Sequence, residues 1–263
     1  MTAADDEGAT GSQSVLERIA AVLEVLGWAE GMTLAQISRR TNIPRSSVHR
    51  ILQQMVDIHW VERVDLKYRL GVGVRELGHR TMAQSRVRRS TVPKMYQVRD
   101  ATGFNVHFGV LVGGDSINLE TIWGSRAVTS FGGSRQPAHA TSAGKMLLAC
   151  RMERGEDLGL PELVPVTKYT ITSEQVLVRE LQKIRKEEAA IAREECYLNT
   201  ASVSVPIGPM KNATHALSVS GPADLVRPHE VVRHLRAAAS AAWTEATSVV
   251  PRRRRPGHLR STG

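Results

Sequence analysis

Residues 31–70 read GMTLAQISRRTNIPRSSVHRILQQMVDIHWVERVDLKYRL. Thr33 and Gln36 have the spacing of a capping box, in which a hydroxyl and an amide side chain satisfy each other's backbone N–H groups at a helix start. Leu34 and Ile37 then place a short helix ending near Thr41. Asn42 and Ile43 make a break, and Pro44 supplies the fixed φ suited to the first position of a second helix, which runs to about Val56. In that helix Val48, Ile51, Leu52 and Met55 fall at i, i+3, i+4 and i+7 and face a core, while Arg45, Ser46, Ser47, His49, Arg50, Gln53 and Gln54 face outward. Two short amphipathic helices across a tight break predict a helix-turn-helix.

The charge of the stretch has one sign. Between Gly31 and Val56 there is no Asp or Glu, and Arg39, Arg40, Arg45 and Arg50 all fall there, which suits approach to a polyanion. Arg and Gln can pair bidentately with base edges, and Ser hydroxyls and helix-start amides can hold phosphates. In docked helix-turn-helices the start of the second helix meets the bases, so Arg45, Ser46, Ser47 and His49 are the candidate base contacts, with Arg50 at base or backbone and Thr33 beside them. Trp60–Val64, a turn at Asp65 and Leu66, and Lys67–Leu70 predict a hairpin that offers Arg63, Lys67 and Arg69 to phosphate or a minor groove. A hairpin there makes the segment 14–71 a winged helix-turn-helix. A merely solvated polar face is the competing reading, and the acid-free window, the Pro-led helix and the hairpin together outweigh it.

Working outward, residues 1–13, MTAADDEGATGSQ, are small, acidic and polar and predict a disordered leader. Ser14 and Glu17 repeat the capping-box spacing, and Val15, Ile19, Val22 and Leu26, with Leu16 and Leu23, give the following helix one broad apolar face. Val72 to about Gln84 predicts another helix. SRVRRS, residues 85–90, is too basic for a core, so the segment 72–90 is read as a linker with the domain boundary at its end. A further helix is expected from Val92, beside Pro93, to Thr102. VHFGVLV and SINLETI then predict strands joined at Gly113, Gly114 and Asp115.

The chain has 263 residues, enough for two domains, with 41% hydrophobic and 23% charged residues, which excludes wholesale disorder and a membrane protein as classes. The start lacks the basic and apolar regions of a signal peptide, so a cytoplasmic location is expected. Cys150 and Cys196 form neither a CxxC motif nor a disulfide framework. Residues 1–90 carry 13 Lys/Arg against 10 Asp/Glu, residues 91–251 carry 17 against 16, and the tail from Arg252 carries 5 and none. The middle is nearly neutral, so phosphate binding is assigned to the ends. The tail 249–263, with Arg252–Arg255 and Arg260, either adds salt-sensitive DNA affinity or is a solubilising end.

In that neutral middle, Gly132, Gly133, Ser134 and Pro137 predict a loop, and Thr141 or Ser142 can cap a helix through Gly144, Lys145, Met146 and Leu147. A helix start offers free amides and partial positive charge to an anion. Ser218 and Ser220 share one face of a strand, with Leu217 and Val219 on the other, and Ser202 and Ser204 repeat the pattern. Hydroxyls on a sheet face beside a helix start would suit a small carboxylate or phenolic ligand, whereas solvent-exposed serines are the bland alternative. Ser173–Glu195 predicts a long charged helix with Val176, Leu181, Ile184 and Ile191 inward. Pro228–Thr247 predicts a closing helix packed through Val232, Leu235, Ala239 and Trp243.

LAQISRRTNIPRSSVHRILQQM with YRLGVGVRELG resembles the DNA-binding half of the IclR family of bacterial transcriptional regulators. PAHATSAGKMLLA (137–149), SVSVPIG (202–208) and ALSVSGP (216–222) resemble its effector-binding half, so the two cover most of residues 14–247. The resemblance implies an α+β fold, with a linker helix that joins protomers and an antiparallel-sheet effector and oligomerisation domain, related to GAF and profilin-like folds, over 91–248. It implies Ser142, Ala143, Ser202, Ser218 and Ser220 as pocket residues, operator DNA and a small anionic or aromatic-acid effector as partners, and a homodimer or homotetramer. Repression is the expected outcome, though operator position, absent from the sequence, decides between repression and activation. Two departures stand out. The loop after Tyr197 is short, so no acidic pocket residue is assigned, and His59 stands where a Gly commonly precedes the wing, in a left-handed conformation tolerable for His.

Two rivals differ in class. A second domain that only oligomerises would bind no small molecule. An enzyme would need Ser142 with His139 and Lys145, or Cys150 with a distant His, and no nucleophile elbow, phosphate loop or HExxH motif supports either. No catalytic residue, metal or cofactor is therefore expected.

Overall fold

A computed structural model describes residues 14–27, 29–128, 135–160 and 162–248. The expected leader, the Gly132–Ser134 loop and the basic tail lie outside the described residues. The chain divides into two units, Met1–Gln84 and Ser85–Gly263.

The first unit contains α1 (Val15–Gly27), β1 (Met32–Thr33), α2 (Leu34–Thr41), α3 (Arg45–Asp57), β2 (Val61–Val64), β3 (Lys67–Leu70) and α4 (Val72–Gln84). Both expected capping boxes form: the Glu17 amide donates to Ser14 Oγ at 3.2 Å and the Ser14 amide to Glu17 Oε2 at 2.7 Å, and Thr33 and Gln36 exchange the same pair of bonds. Pro44 is not the first helical residue but the N-cap, its carbonyl accepting from the Val48 amide at 3.0 Å, so α3 opens on Arg45. The core joins Val22 and Leu26 of α1, Ile37 of α2, Val48, Ile51, Leu52 and Met55 of α3, and Tyr68 of the wing. Val15 and Leu16 stay exposed, so the buried face of α1 is narrower than its apolar pattern. β1, too short to show a period, adds a third strand beside β3. No residue of α4 is buried within its own unit.

The second unit contains α5 (Arg86–Thr102), β4 (Asn105–Val112), β5 (Asp115–Ile122), β6 (Arg135–Pro137), α6 (Ser142–Glu153), α7 (Glu174–Glu187), β7 (Ala190–Arg193), β8 (Thr200–Pro206), β9 (His215–Pro222) and α8 (Pro228–Thr247). Among the described residues, six strands form one antiparallel sheet in the order β6-β5-β4-β9-β8-β7. Met95 and Val98 of α5 and Leu235 and Ala239 of α8 cover one face, packing on Val106, Phe108, Val203, Leu217 and Val219. Met146 and Leu147 of α6 and Leu177, Leu181 and Ile184 of α7 cover part of the other, over Ala190 and Ala216.

Two expected boundaries are corrected. α5 starts at Arg86, not Val92. Ser85 caps it through the Arg88 amide at 3.2 Å, and SRVRRS forms its opening turns because Arg86 and Arg89 point to solvent while Ser90 and Thr91 are buried. Helix α7 ends at Glu187 rather than running to Glu195: Glu188 takes a left-handed conformation (φ 46°) and Ile191 lies on the edge strand β7. Val176 is exposed, and Leu177 takes the inward place. Among the described residues, no helix is long and apolar enough to cross a membrane.

Candidate functional site

The first candidate site is the outer face of α3. Asn42, left-handed at φ 54°, reverses the chain after α2, and Ser38 Oγ donates to the Ile43 carbonyl at 2.6 Å, tying the turn to the preceding helix. With Val48, Ile51, Leu52 and Met55 buried, the helix can rotate only one way, and Arg45, Ser46, His49 and Arg50 are exposed with Ser47 half-buried. Among the described residues, Arg39, Arg40, Arg45, Arg50 and Lys67 make no ion pair within this unit. Thr33 is half-buried and its hydroxyl is engaged in the α2 cap.

The wing is fastened to α4 by close backbone approach. His59 is left-handed (φ 60°), as expected, and its carbonyl accepts from Gly73 at 2.8 Å while the Gly71 amide donates to the Trp60 carbonyl at 2.7 Å. A Cβ at Gly71 would stand 2.4 Å from the His59 oxygen, so no other residue fits. The hairpin register puts Lys67, Arg69 and Glu62 on one face and Arg63 on the other, where Arg63 lies over the Tyr68 ring at 5.7 Å and donates to the Asp65 carbonyl at 2.9 Å. Arg69 is held by Glu62 at 2.7 Å. The three wing cations therefore do not form one patch, and Lys67 alone projects without an internal partner among the described residues.

The second candidate site is a cleft in the other unit, open to solvent, whose atom-free space is about 530 Å³ with the solvent at its mouth counted in. It exists because α6 covers only part of a sheet face. Along β4 the residues on that face are Asn105, His107, Gly109 and Leu111. Leu111 packs under α6 and α7, and a Cβ on Gly109 would meet the Ala143 Cβ at 3.6 Å, so the first turn of α6 ends over Gly109. Beyond it the floor is polar. Ser202 on β8 is opposite Ser220 on β9, and Ser204 and His107 flank Ser218, so hydroxyls and an imidazole form two rows across three strands. Leu217 and Val219 point into the other core, as their alternation requires.

Of the two capping residues open from sequence, Thr141 is the one used. Its Oγ1 accepts from the Gly144 amide at 3.0 Å and is bonded to Ser116 Oγ at 2.8 Å. Ser142 and Ala143, both buried, line the cleft at the helix start, ahead of the helix's own hydrogen-bond ladder. The cleft thus brings Ser142, Ala143, Ser202, Ser218 and Ser220 together.

The profile described as "IclR helix-turn-helix domain" matches residues 15–65, and that described as "Bacterial transcriptional regulator IclR C-terminal" matches residues 79–244, more than half of the chain. The chain belongs to the IclR family. Among its relatives in this family, the HTH-type transcriptional regulator KdgR of Escherichia coli (strain K12) is 29% identical over 216 residues, 79% of this chain and 81% of that protein. The DNA-binding transcriptional repressor YiaJ of the same strain is 25% identical over 214 residues, 78% and 76% of the two chains. The crystal structure of an IclR homolog from Microbacterium hydrocarbonoxydans, complexed with 4-hydroxybenzoate, is 30% identical, with a TM-score of 0.78, over 89% of this chain and 99% of that one. This protein is therefore a DNA-binding transcriptional regulator with the family's effector-binding domain.

Several cleft residues of this IclR-family chain are not evident from the sequence. Glu195 lines it and receives two bonds from the Lys145 ammonium, at 2.8 and 2.9 Å, with Lys145 itself only 1% exposed. An acidic residue is thus present where the short loop after Tyr197 argues for none; it comes from the segment just before Cys196. Burial raises the Glu195 carboxyl above the usual carboxylate range, with Lys145 pulling the other way. Gln136 donates to Tyr197 Oη at 3.0 Å across the cleft, and burial pushes the Cys196 thiol up to about 11. His107 is buried between Thr121 and Ser220.

The residues named for an enzyme are otherwise engaged. His139 Nε2 bonds the Val164 carbonyl at 3.1 Å, Lys145 is spent on Glu195, and burial pushes the Cys150 thiol up to about 12 while its Sγ faces Met210 Sδ at 3.6 Å. Neither Ser142 Oγ nor Cys150 Sγ is hydrogen-bonded to a His, Asp or Glu side chain among the described residues.

Proposed function

We propose that this protein is a repressor that binds a partly palindromic operator as a homodimer or homotetramer and is controlled by a small organic acid, aromatic in the simplest case, that occupies the cleft. Residues 14–71 are the reader, with Arg45, Ser46, Ser47 and His49 at bases, Arg50 at base or backbone, and Thr33, Arg63, Lys67 and Arg69 as flanking contacts, of which Lys67 is the strongest on the wing. α4, with Val72 and Leu77 exposed and no buried residue of its own, is the linker that joins protomers. Two α3 helices then present themselves about 34 Å apart or a multiple of it, the repeat of the major groove.

The observation that carries the ligand reading is the cleft's construction: the start of α6, where free amides favour an anion, set beside rows of neutral hydroxyls. Likeness to a homologue complexed with 4-hydroxybenzoate supports the same chemistry. An acid in the cleft can shift DNA affinity only by its differential affinity for the two arrangements of the reading heads.

The test is fluorescence anisotropy on an operator fragment selected from genomic DNA by the protein, titrated with 4-hydroxybenzoate and other small aromatic acids. An acid should release the operator. The Ser218→Ala/Ser220→Ala variant should keep DNA binding and lose release, and Arg50→Ala should lose DNA binding about tenfold or more. A protein that no acid releases or stabilises would be one whose second unit only oligomerises, and unchanged binding by Arg50→Ala would remove the assignment of α3.

A further inference from the structure

Two basic stretches far apart in sequence meet at one end of the second unit. Arg86 Nη2 donates to the Ser248 carbonyl at 2.5 Å, across 162 residues, and ties the start of α5 to the end of α8. Lys94 of α5 is paired with Glu245 of α8 beside it. α5 opens on RVRR, and after Ser248 the chain continues as VVPRRRRPGHLRSTG, with five Arg and no acid. Arg252 is four residues past Ser248, so chain length alone keeps it within about 14 Å of that contact. The reader is joined on at the same end, because Ser85 follows Gln84, the last residue of α4.

The cations at this end are short of acids. Glu120 holds Arg88 and Glu245 holds Lys94, which leaves Arg86 with a carbonyl and Arg89, exposed, with no carboxylate among the described residues. The first turn of a helix is a poor place for cations, since its amides already carry partial positive charge, yet α5 has Arg86, Arg88 and Arg89 there and no acid. The run Arg252–Arg255 adds to the same repulsion, and with a proline on either side and no apolar residue inside it, it has nothing to bury. An extended anion relieves such an excess at every charge. We infer that Arg86, Arg89 and Arg252–Arg255 form a second DNA-contacting surface, separate from the winged helix-turn-helix, that holds phosphates without reading bases. The family's helix-turn-helix domain brings a duplex to this chain, so the polyanion is at hand. A guanidinium can give two parallel bonds to one phosphate. A uniform run of arginines suits a backbone, which repeats, and not base edges, whose donors and acceptors change from step to step.

This inference rests on DNA binding by the family's domain, and not on the assignment of α3 or of the cleft. Anisotropy titrations over a range of KCl concentrations, on the selected operator fragment and on an unrelated duplex of the same length, compare the full-length wild type with two variants. One carries Arg252→Gln, Arg253→Gln, Arg254→Gln and Arg255→Gln together, and the other is Arg89→Gln. At about 0.9 per phosphate contact, the slope of log K against log salt should flatten by about 2 or more per protomer in the first and by about 1 in the second. Each variant should weaken both duplexes by the same factor and so keep the ratio of the two affinities, whereas Arg50→Ala should lower that ratio. Both variants should unfold at the wild-type temperature, because the charges removed have no internal partner. Unchanged slopes would mean that the basic end only solubilises the chain. A lower melting temperature with unchanged slopes would mean that the run folds back on its own protein, and an altered affinity ratio that it reads bases. A flattened slope in the fourfold variant but not in Arg89→Gln would mean that the two stretches do not act as one surface. Each of these results overturns the inference, while a ratio kept by Arg50→Ala removes the assignment of α3 and leaves this surface standing.

Discussion

The two units handle charge in opposite ways. On α3 and the wing, Arg45, Arg50 and Lys67 stand exposed with no internal counter-ion among the described residues, so their charge costs no desolvation and acts over about a Debye length in salt water. In the cleft, the carboxylate of Glu195 is bound by the buried ammonium of Lys145 behind it, and the floor is neutral hydroxyl and imidazole. Exposed, unopposed cations suit a partner that is itself a long polyanion, met with little sequence information in the backbone contacts. Neutral, buried polar groups suit a small molecule recognised bond by bond, because an unmatched group there has no water to turn to. One chain thus has a salt-sensitive end and an end governed by desolvation.

The sharpest way to break that contrast is to remove the cleft's counter-ion. Glu195→Gln leaves the Lys145 ammonium facing only Glu180, at 3.9 Å. Breaking a buried pair from one side costs about 4 kcal/mol, whereas Glu76→Gln, which removes the exposed partner of Arg80, should cost under about 0.5 kcal/mol. Urea unfolding followed by circular dichroism reads both. Equal losses would mean that water reaches Lys145 and that the cleft is no different from the surface.

A somewhat smaller effect concerns acid. The folded His107 binds its proton with a pKa of about 4 against 6.5 for the unfolded chain, so the unfolded state takes up the proton first as pH falls. The neutral ring's stabilisation is present above pH 6.5 and is lost between about 6.5 and 4, amounting to about 3 kcal/mol at the lower end. His107→Gln has no such proton to bind. The difference in unfolding free energy between the two proteins should therefore shrink across that window as the wild type weakens, and a difference that stays constant with pH would place His107 in contact with solvent.

The same contrast explains which parts were legible in the sequence. The reader is written in short-range periods: Val48, Ile51, Leu52 and Met55 fix the rotation of α3, and the capping pairs at Ser14 and Thr33 fix the starts of α1 and α2. Of that unit only β1 escaped, since two residues carry no period. In the cleft, period-2 alternation was enough to pair Ser218 with Ser220 and to set Leu217 and Val219 against them. His107 lay unnoticed in a strand pattern because its partners, Thr121 and Ser220, are 14 and 113 residues away and are brought to it by the β4–β5 and β4–β9 registers, which no local signal encodes. Glu195 was hidden by a different ambiguity. Ile191 follows Ile184 at helical spacing, so a short edge strand read as a continuing helix until the left-handed Glu188 ended it. The opening of α5 shows that basic composition does not exclude a helix when its cations either face solvent, as Arg86 and Arg89 do, or are paired, as Arg88 is with Glu120.

The smallest expected effect tests the exposed end of the comparison within a single hairpin. Lys67 and Arg69 lie on the same face of β3, two residues apart, yet only Arg69 is paired, with Glu62 at 2.7 Å. A cation already neutralised by a carboxylate releases little of the DNA counter-ion atmosphere when it binds, because it must first exchange one anion for another. Lys67→Ala should therefore lower the slope of log K against log salt by about 1, while Arg69→Ala should leave it nearly unchanged. Glu62→Gln supplies the converse: with the carboxylate gone, Arg69 becomes a full phosphate contact, the slope steepens by about 1, and affinity at low salt rises. Anisotropy titrations on one operator fragment over a range of KCl concentrations read all three variants. Equal slopes for Lys67→Ala and Arg69→Ala would show that the Glu62 pair opens on DNA, and that exposure alone, rather than the presence of an internal counter-ion, decides which wing cations face phosphate.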